Sequence, residues 1–491
     1  MSFNEARRRA ANDRPIARGG DYVLYWMQAF RRLSHNHALD YALKCARELD
    51  RPLVIYEGLR FDYPWASDRH HRFVLEGMRE NRAAAEALGL TYWPFVATPD
   101  DPGKGLVHRL ASRACMIVTD DFPCFVIPDQ IEALAKRADR QVIAIDGNSV
   151  APLRSLGGPV AAAAHLRPRI HKLFDEAWRH RARAVPEIPN AATRRVEAPF
   201  ATWDGDVDRA IAAVPIDRSV APVRGVTGGC AAANERLRGF LESGLARYAD
   251  HRSNPSPPEE GPSSRLSPYL HFGHLSIEAV IAGVLTRAYG TTEIVTGAKG
   301  KREGFYGADP NVNGFLDEAI TWRDVGYQWH LTRRRDAESL ARALPVWAQA
   351  TLEKHAADPR KFAYTLDEWE ACATHDPLWN AAQTELAATG SMHNYMRMLW
   401  GKKVIEWSAT PEEAYRALVH LNNKYALDGR DPNSYTGILW CFGLFDRPWA
   451  PERPVLGTIR YMSSDNTAKK FKLDAYLAYV RGLARKASRT R

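Results

Sequence analysis

Five short apolar runs, separated by helical stretches, constrain this chain more than any other feature. They are DYVLYWMQAF (21–30), RPLVIYEGL (51–59), LTYWPF (90–95), ACMIVTD (114–120) and RQVIAIDG (140–147). A strand with one face in water alternates apolar and polar residues, whereas a strand covered on both faces has no such need. Helices are expected through Leu49, near 69–88, through Arg113 and over 129–139. Strands alternating with helices predict a Rossmann-like α/β domain with a parallel sheet over residues 1–178. No Gly-x-Gly-x-x-Gly follows the first run, so the dinucleotide-binding fingerprint is absent.

The character changes beyond that domain. Residues 179–224 are rich in Pro, Ala and turn formers and are expected to form an extended inter-domain linker. From 225 to 491 the chain reads as an all-helical domain. It has a helix at about 231–248, a Pro-rich loop at 251–264 and further loops at 297–311 and 428–436. There is no run of 18 apolar residues, and the first 15 residues carry no apolar secretory core, so a cytoplasmic protein off the membrane is expected. Six scattered cysteines without a C-x-x-C predict reduced thiols and no metal site. The formal charge of +9 points to a polyanionic partner. Much of that excess sits in 468–491, which holds eight Lys or Arg against one Asp. A solvated basic helix and a DNA-contacting tail both fit it.

The segment 391–407, SMHNYMRMLWGKKVIEW, reads as one helix. At about 100° per residue, His393, Arg397, Trp400, Val404 and Trp407 fall near one line along it. A purely structural stripe would be aliphatic. An aromatic core helix with one snorkelling Arg accounts for the stripe, and so does a functional one, since a buried Arg needs an acidic partner and spaced indoles can pass an electron. Asp428 is the carboxylate chosen for Arg397. In SSRLSPYLHFGHLS (263–276), hydroxyls and an Arg at a helix entrance suit either phosphate binding or plain capping. Glu318 and Trp322, at i and i+4, suit either a nucleobase contact or a surface acid over a core indole. The D-G-x-D turn after Ala426 lacks the ligand pattern of a calcium loop.

The motifs RLSPYLHFG, HDPLWNAAQ, MHNYMRMLWGKKVIEW, LDGRDPNSY and IRYM, in that order, resemble the photolyase/cryptochrome family. They are most similar to the class II cyclobutane pyrimidine dimer photolyases. The resemblance runs from VLYWM (23–27) to KKFKLDAYLAY (469–479). It implies light-driven repair of pyrimidine dimers in double-stranded DNA by a monomeric lyase. It also implies FAD in the helical domain, active as fully reduced FADH−, and an antenna domain whose chromophore is a deazaflavin, a folate or absent. Carried over by position, it places the FAD diphosphate on Ser263, Ser264, Arg265, Leu266 and Ser267, with Tyr248 upstream. Arg397 and Asp428 become an ion pair beside the isoalloxazine, Asn422 faces its N5, and Asp431 joins the cofactor set. Glu318, Trp322, Met398, Trp440, Trp449 and Arg460 line the dimer pocket, with Arg447 near. Trp400, Trp379 and Trp407 form the proximal, middle and distal members of an electron-transfer chain. TWRDVGYQWH (321–330) departs from the usual class II text. A cryptochrome-like sensor would keep the flavin and the tryptophans without repair. The common six-four enzymes carry a second His where Asn394 stands, and an iron–sulfur branch needs four Cys after the linker, where this chain has three.

Overall fold

The computed structural model describes residues 5–488, with side chains through 486. All five apolar runs are strands: β2 (Tyr22–Met27), β3 (Leu53–Leu59), β4 (Thr91–Val96), β5 (Ala114–Asp120) and β6 (Val142–Ile145). They pair in parallel in the order β6-β5-β2-β3-β4, with Leu24 facing Val54 on one side and Ile117 on the other. Every residue of β2 is buried, as expected of the central strand of a doubly covered sheet. Pro94 is tolerated because β4 is an edge strand.

One strand gives no sequence signal. β1 (Arg8–Ala10) pairs antiparallel to β6 at the far edge. It is fixed by its buried neighbour Arg7, whose guanidinium donates to the carbonyls of Asp146, Ser149 and Val150 at 3.0, 3.0 and 2.6 Å. The helices between strands are α1 (His37–Leu49), α2 (Asp68–Ala87), α3 (Leu106–Arg113) and α4 (Ile127–Arg137). Asn36 starts α1 by accepting from the backbone N–H groups of Ala38 and Leu39. Asp120, at the end of β5, accepts three successive backbone N–H groups from Gln28, Ala29 and Phe30 at 2.7–2.9 Å, which pins the loop leaving β2.

The chain forms two compact units whose borders differ from 178 and 225. The sheet unit comprises 1–157, 167–238 and 265–312; the helical unit comprises 158–166, 239–264 and 313–491. The expected linker belongs to the sheet unit. Arg82 donates to the carbonyl of Trp203, Trp93 to that of Val196, and Arg218 pairs with Asp68 at 2.5 Å. A Pro-rich composition marks irregular backbone, but buried side chains within it decide where that backbone packs.

The helical unit contains α5 (Arg323–Arg333), α6 (Pro377–Thr389), α7 (Asn394–Trp407), α8 (Pro411–Tyr425), α9 (Pro432–Cys441) and α10 (Asp474–Ser488). The helix expected at 231–248 is present but not uniform, passing from Cys230–Gly239 through a wide π turn at Phe240–Gly244 and a tighter turn at Leu245–Arg247. One expectation fails. The loop at 428–436 is cut short because Asp431 caps α9 and Pro432 opens it. The basic C-terminal helix α10 buries Tyr476 and Val480, leaving Arg481, Arg485 and Lys486 exposed. Arg489 and Arg491 lie outside the described residues. All six cysteines are free thiols. Burial raises Cys45 and Cys230 to about 12 and Cys441 to about 11, and also raises Cys115 and Cys372. Among the described residues no helix is long and apolar enough to cross a membrane, and no cluster of potential metal ligands occurs.

Candidate active site

Helix α7 begins one residue later than the predicted stripe requires. His393 is its cap, its Nδ1 accepting from the backbone N–H of Tyr395 at 3.2 Å, so His393 leaves the helical row. Arg397, one turn in, donates to the side-chain oxygen of Asn422 at 3.0 Å. The expected ion pair with Asp428 is present, though its Nη2–Oδ1 separation of 3.8 Å is too long for a hydrogen bond. That Oδ1 atom is buried and accepts no hydrogen bond. Asn422 lies in the last turn of α8 and donates its own amide N–H to Asn423 at 3.2 Å, and Asn423 in turn accepts the backbone N–H of Arg430 at 2.9 Å. This network holds the 426–430 turn. Gly429 is required there, because a Cβ would stand 3.0 Å from the backbone of Ala426, Asn422 and Asn423. Arg397, Met398, Trp400, Asn422, Asn433 and Cys441 line a cavity beside it. An arginine and an amide on one cavity, with a carboxylate oxygen that accepts no hydrogen bond paired to that arginine, suit the edge of a planar polar ring that offers donors and acceptors. Both oxygens of Asp431 already have protein partners, the Tyr327 hydroxyl at 2.7 Å and the Asn433 backbone N–H at 2.8 Å.

The three tryptophans of the expected chain are all buried: Trp400, Trp379 and Trp407 expose 2%, 0% and 3%. Trp400 donates to Gln383 at 2.9 Å, and Trp379 donates to the Trp400 carbonyl at 3.1 Å. A fourth indole, Trp369, was not anticipated. Its ring lies 4.7 Å from Trp379 and 6.1 Å from Trp407, stacked on the latter within 7°. It sits on a five-residue helix, Leu366–Glu370, held by a reciprocal cap between Thr365 and Glu368. That segment, LDEWE, is too short and polar for periodicity to reveal a buried ring.

Glu318 and Trp322 lie within a second π turn, Asp317–Trp322, which leads into α5. Such wide turns are often found at functional sites. Trp322 is 40% exposed. Glu318 is paired with Arg252 at 2.5 Å. Burial alone would lower the Arg252 guanidinium, but the Glu318 carboxylate more than offsets this and raises it. Arg252 falls in a stretch that composition marks only as loop, so sequence reasoning passed over it. Arg252 also lies over the Tyr248 ring at 5.7 Å, and that ring packs edge-on to Phe315 at 5.2 Å.

Farther along the same unit, two indoles carry a collar of cations. Arg460 lies 5.9 Å over Trp440 and 4.8 Å over Trp449; Arg447 lies 5.0 Å over Trp449. Both arginines are exposed. Lys402 approaches Trp440 from the protein side, 5.4 Å from the ring. It is fully buried, donates to the Cys441 carbonyl at 2.5 Å, and is lowered by that burial to about 8. Flat rings flanked by guanidinium groups can stack a base and hold its phosphates.

Of the expected phosphate stretch, Ser263 and Ser264 belong to the helical unit, and Arg265, Leu266 and Ser267 to the sheet unit. The helix Ser267–His271 is a single turn with no side-chain cap, so Ser267 is not spent on capping. Arg265 adopts a φ of 55°, a conformation uncommon outside glycine and one that recurs at binding sites. Burial lowers the Arg236 guanidinium, and the like charge of Arg265 lowers it further. An anion would relieve that repulsion.

No family model matches the chain. It is 34% identical over 488 residues to a deoxyribodipyrimidine photo-lyase of Methanothermobacter thermautotrophicus, across 98% of this chain and 99% of that protein. A rice protein of the same name (Oryza sativa subsp. japonica) is 34% identical over 95% of this chain and 88% of its own length. One from the marsupial Potorous tridactylus is 30% identical over 96% and 83%. In fold, the chain is similar to a class III photolyase of Agrobacterium tumefaciens, with a TM-score of 0.64, 16% identity and coverage of 94% and 86%. It is also similar to a Synechocystis cryptochrome, with a TM-score of 0.65, 14% identity and coverage of 93% and 88%. At such identities these two matches speak for the fold alone. The relatives match over nearly the whole length of both partners, and on that ground the chain belongs to the photolyase/cryptochrome family, among the enzymes named deoxyribodipyrimidine photo-lyase.

Proposed function

We propose that this chain is a class II photolyase that uses blue light to split cyclobutane pyrimidine dimers in double-stranded DNA. The observation that supports the reading is the grouping of Arg397 and Asn422, which with Trp400 line one cavity, with the Asp428 carboxylate that pairs with Arg397 at 3.8 Å. The family generally binds FAD, and these residues fit an isoalloxazine edge. Arg397 and Asn422 offer N–H donors, and Asp428 offers the acceptor oxygen that the protein leaves unused. Arg236 beside Arg265 suits a diphosphate. A bound reduced flavin would supply one electron to the dimer on excitation and recover it after the ring opens.

The chain's own residues do the rest. A dimer buried in duplex DNA must leave the stack to be reached. Trp440 and Trp449 give flat surfaces for the extruded bases, and Arg447 and Arg460 hold the flanking phosphates without reading sequence. Glu318, paired with Arg252, is placed to accept a hydrogen bond from a pyrimidine N–H edge. Buried Trp400, Trp379 and Trp407 keep their indoles dry and close, as a path for reducing the cofactor requires.

The test is a gel shift on duplexes with and without a thymine dimer, followed by blue illumination and a count of restored thymines. Wild-type protein is expected to prefer the damaged duplex and to restore thymines only in light. Glu318→Ala is expected to weaken dimer binding by about 1.5–3 kcal/mol, the range for hydrogen bonds to charged groups. Equal binding to both duplexes and no repair by flavin-loaded wild type would overturn the reading in favour of a light sensor without repair.

A further inference from the structure

Trp407, the distal member of the tryptophan path, is 3% exposed, so most of its ring is shielded from water. Lys403 stands 5.2 Å over the same ring, a cation that disfavours a radical cation beneath it even though Glu406 pairs with the ammonium at 2.7 Å. Next to it is a side chain able to lose an electron without keeping a charge. Tyr364 lies 5.0 Å from Trp369 and 5.8 Å from Trp407, measured between ring centres. Its hydroxyl is 2.5 Å from Nδ1 of His375 and accepts the His375 backbone N–H at 3.0 Å. His375 is exposed, and its ring is held by Phe362, stacked at 3.5 Å, and by Trp407 at 4.7 Å. A phenol in contact with two buried indoles, hydrogen-bonded to an imidazole that reaches water, is built to give up an electron and a proton together.

We propose that Tyr364 and His375 form the terminus of the electron path, with Trp369 the link that connects Trp379 to it. This rests on the reading of Trp400, Trp379 and Trp407 as a path. The vacancy is made when a photoexcited oxidised flavin takes one electron from Trp400. One electron then passes from Trp379 to Trp400, one from Trp369 to Trp379, and finally one from Tyr364, directly to Trp369 or by way of Trp407. Each tryptophan returns to the neutral indole. In the last step the O–H bond of Tyr364 breaks. Its proton moves to Nδ1 of His375, giving an imidazolium that exchanges with water, and a neutral phenoxyl radical remains. The separated state then holds no charge beside Lys403, and the electron on the cofactor side cannot return until the proton does. That delay gives an external thiol time to reduce the tyrosine.

The experiment is flash photolysis of the protein loaded with oxidised flavin, with electron paramagnetic resonance of frozen illuminated samples. In wild type an indole radical is expected to decay into a phenoxyl radical, more slowly in heavy water than in light water. Tyr364→Phe keeps the ring and removes the proton; it is expected to lose the phenoxyl signal and shorten the life of the separated charge. His375→Gln keeps a hydrogen-bond acceptor but cannot take a proton, and is expected to slow phenoxyl formation. In a second arm, flavin-free full-length protein is oxidised by a ruthenium photo-oxidant, and the Tyr364→Phe difference in the radical spectrum is read without any loaded cofactor. A phenoxyl signal that survives Tyr364→Phe in both arms overturns the proposal, as does an unchanged lifetime of the indole radical. If loaded wild type gives no light-induced indole radical, the tryptophan path itself falls, and the flavin-free arm still decides whether Tyr364 is the acceptor of the vacancy.

Discussion

Lys402 sits in an environment that costs the molecule stability. It is fully buried and lowered by that burial from 10.5 to about 8. Between those values the unfolded chain binds a proton that the folded chain has released, so stability rises with pH across the window. Below pH 8 both states hold the proton, and the folded state carries the whole cost, on the order of 3 kcal/mol. Lys402→Met fills the same volume without charge. Denaturant unfolding at several pH values is expected to show a rise of at most about 1.4 kcal/mol per pH unit that the variant lacks; identical slopes would refute it. A lysine kept at such cost under Trp440 fits a positively biased platform for a nucleic acid. At this scale the sequence was legible where composition was odd: an Arg and indoles on one stripe singled out Arg397, Trp400 and Trp407. It was illegible where the signal is a distant partner. Nothing near Arg252 announces Glu318, and nothing in LDEWE announces that Trp369 bridges two other rings.

Among the elements, α5 and α9 show how closely two helices can be drawn together. A Cβ on Gly326 would stand 2.4 Å from the Asn433 side-chain oxygen and 2.7 Å from the Thr436 hydroxyl. Thr436 is buried, β-branched and bonded to the Pro432 carbonyl, so it cannot turn aside. Gly326→Ala is therefore expected to cost about 1–3 kcal/mol, as overpacking does. Because Asn433 lines the Arg397 cavity, it should also reduce flavin retention. A melting temperature and flavin content equal to wild type would count against this packing account. The segment that departs from the class II text thus contains a glycine with a packing reason. Continuous apolar runs made the five parallel strands plain, since burial on both faces leaves a direct trace in sequence. β1 left none, because Arg-Arg-Ala is held by the hydrogen bonds of its neighbour Arg7. The two π turns left none either, because one extra residue in a helix changes geometry and hardly changes composition. The Asp-Pro pair at 431–432 was read as loop, although it is equally the start of a helix, and only the packing of the residues after it decides between the two.

Taken whole, the molecule's division into a sheet unit and a helical unit was visible in the change of periodicity, while its borders were not. A stretch such as 265–312 looks helical wherever it packs, so local pattern cannot assign it to one core or the other. The buried thiols turn that division into something measurable. A thiol reacts as its thiolate, and burial holds Cys45 and Cys230 near 12 and Cys441 near 11. In the folded protein at neutral pH these three are therefore almost inert. Cys45, Cys115, Cys124 and Cys230 lie in the sheet unit, Cys372 and Cys441 in the helical unit. Alkylation under mild denaturant, followed by mass spectrometry, becomes a clock with separate hands for the two units. Modification of Cys441 ahead of Cys45 means that the helical unit opens first; simultaneous modification means that the two open as one. Rapid modification of Cys45 and Cys441 without denaturant would contradict their burial. The folded protein thus carries its own record of opening, because Cys45 and Cys441 stay unreactive for as long as the unit around each stays closed.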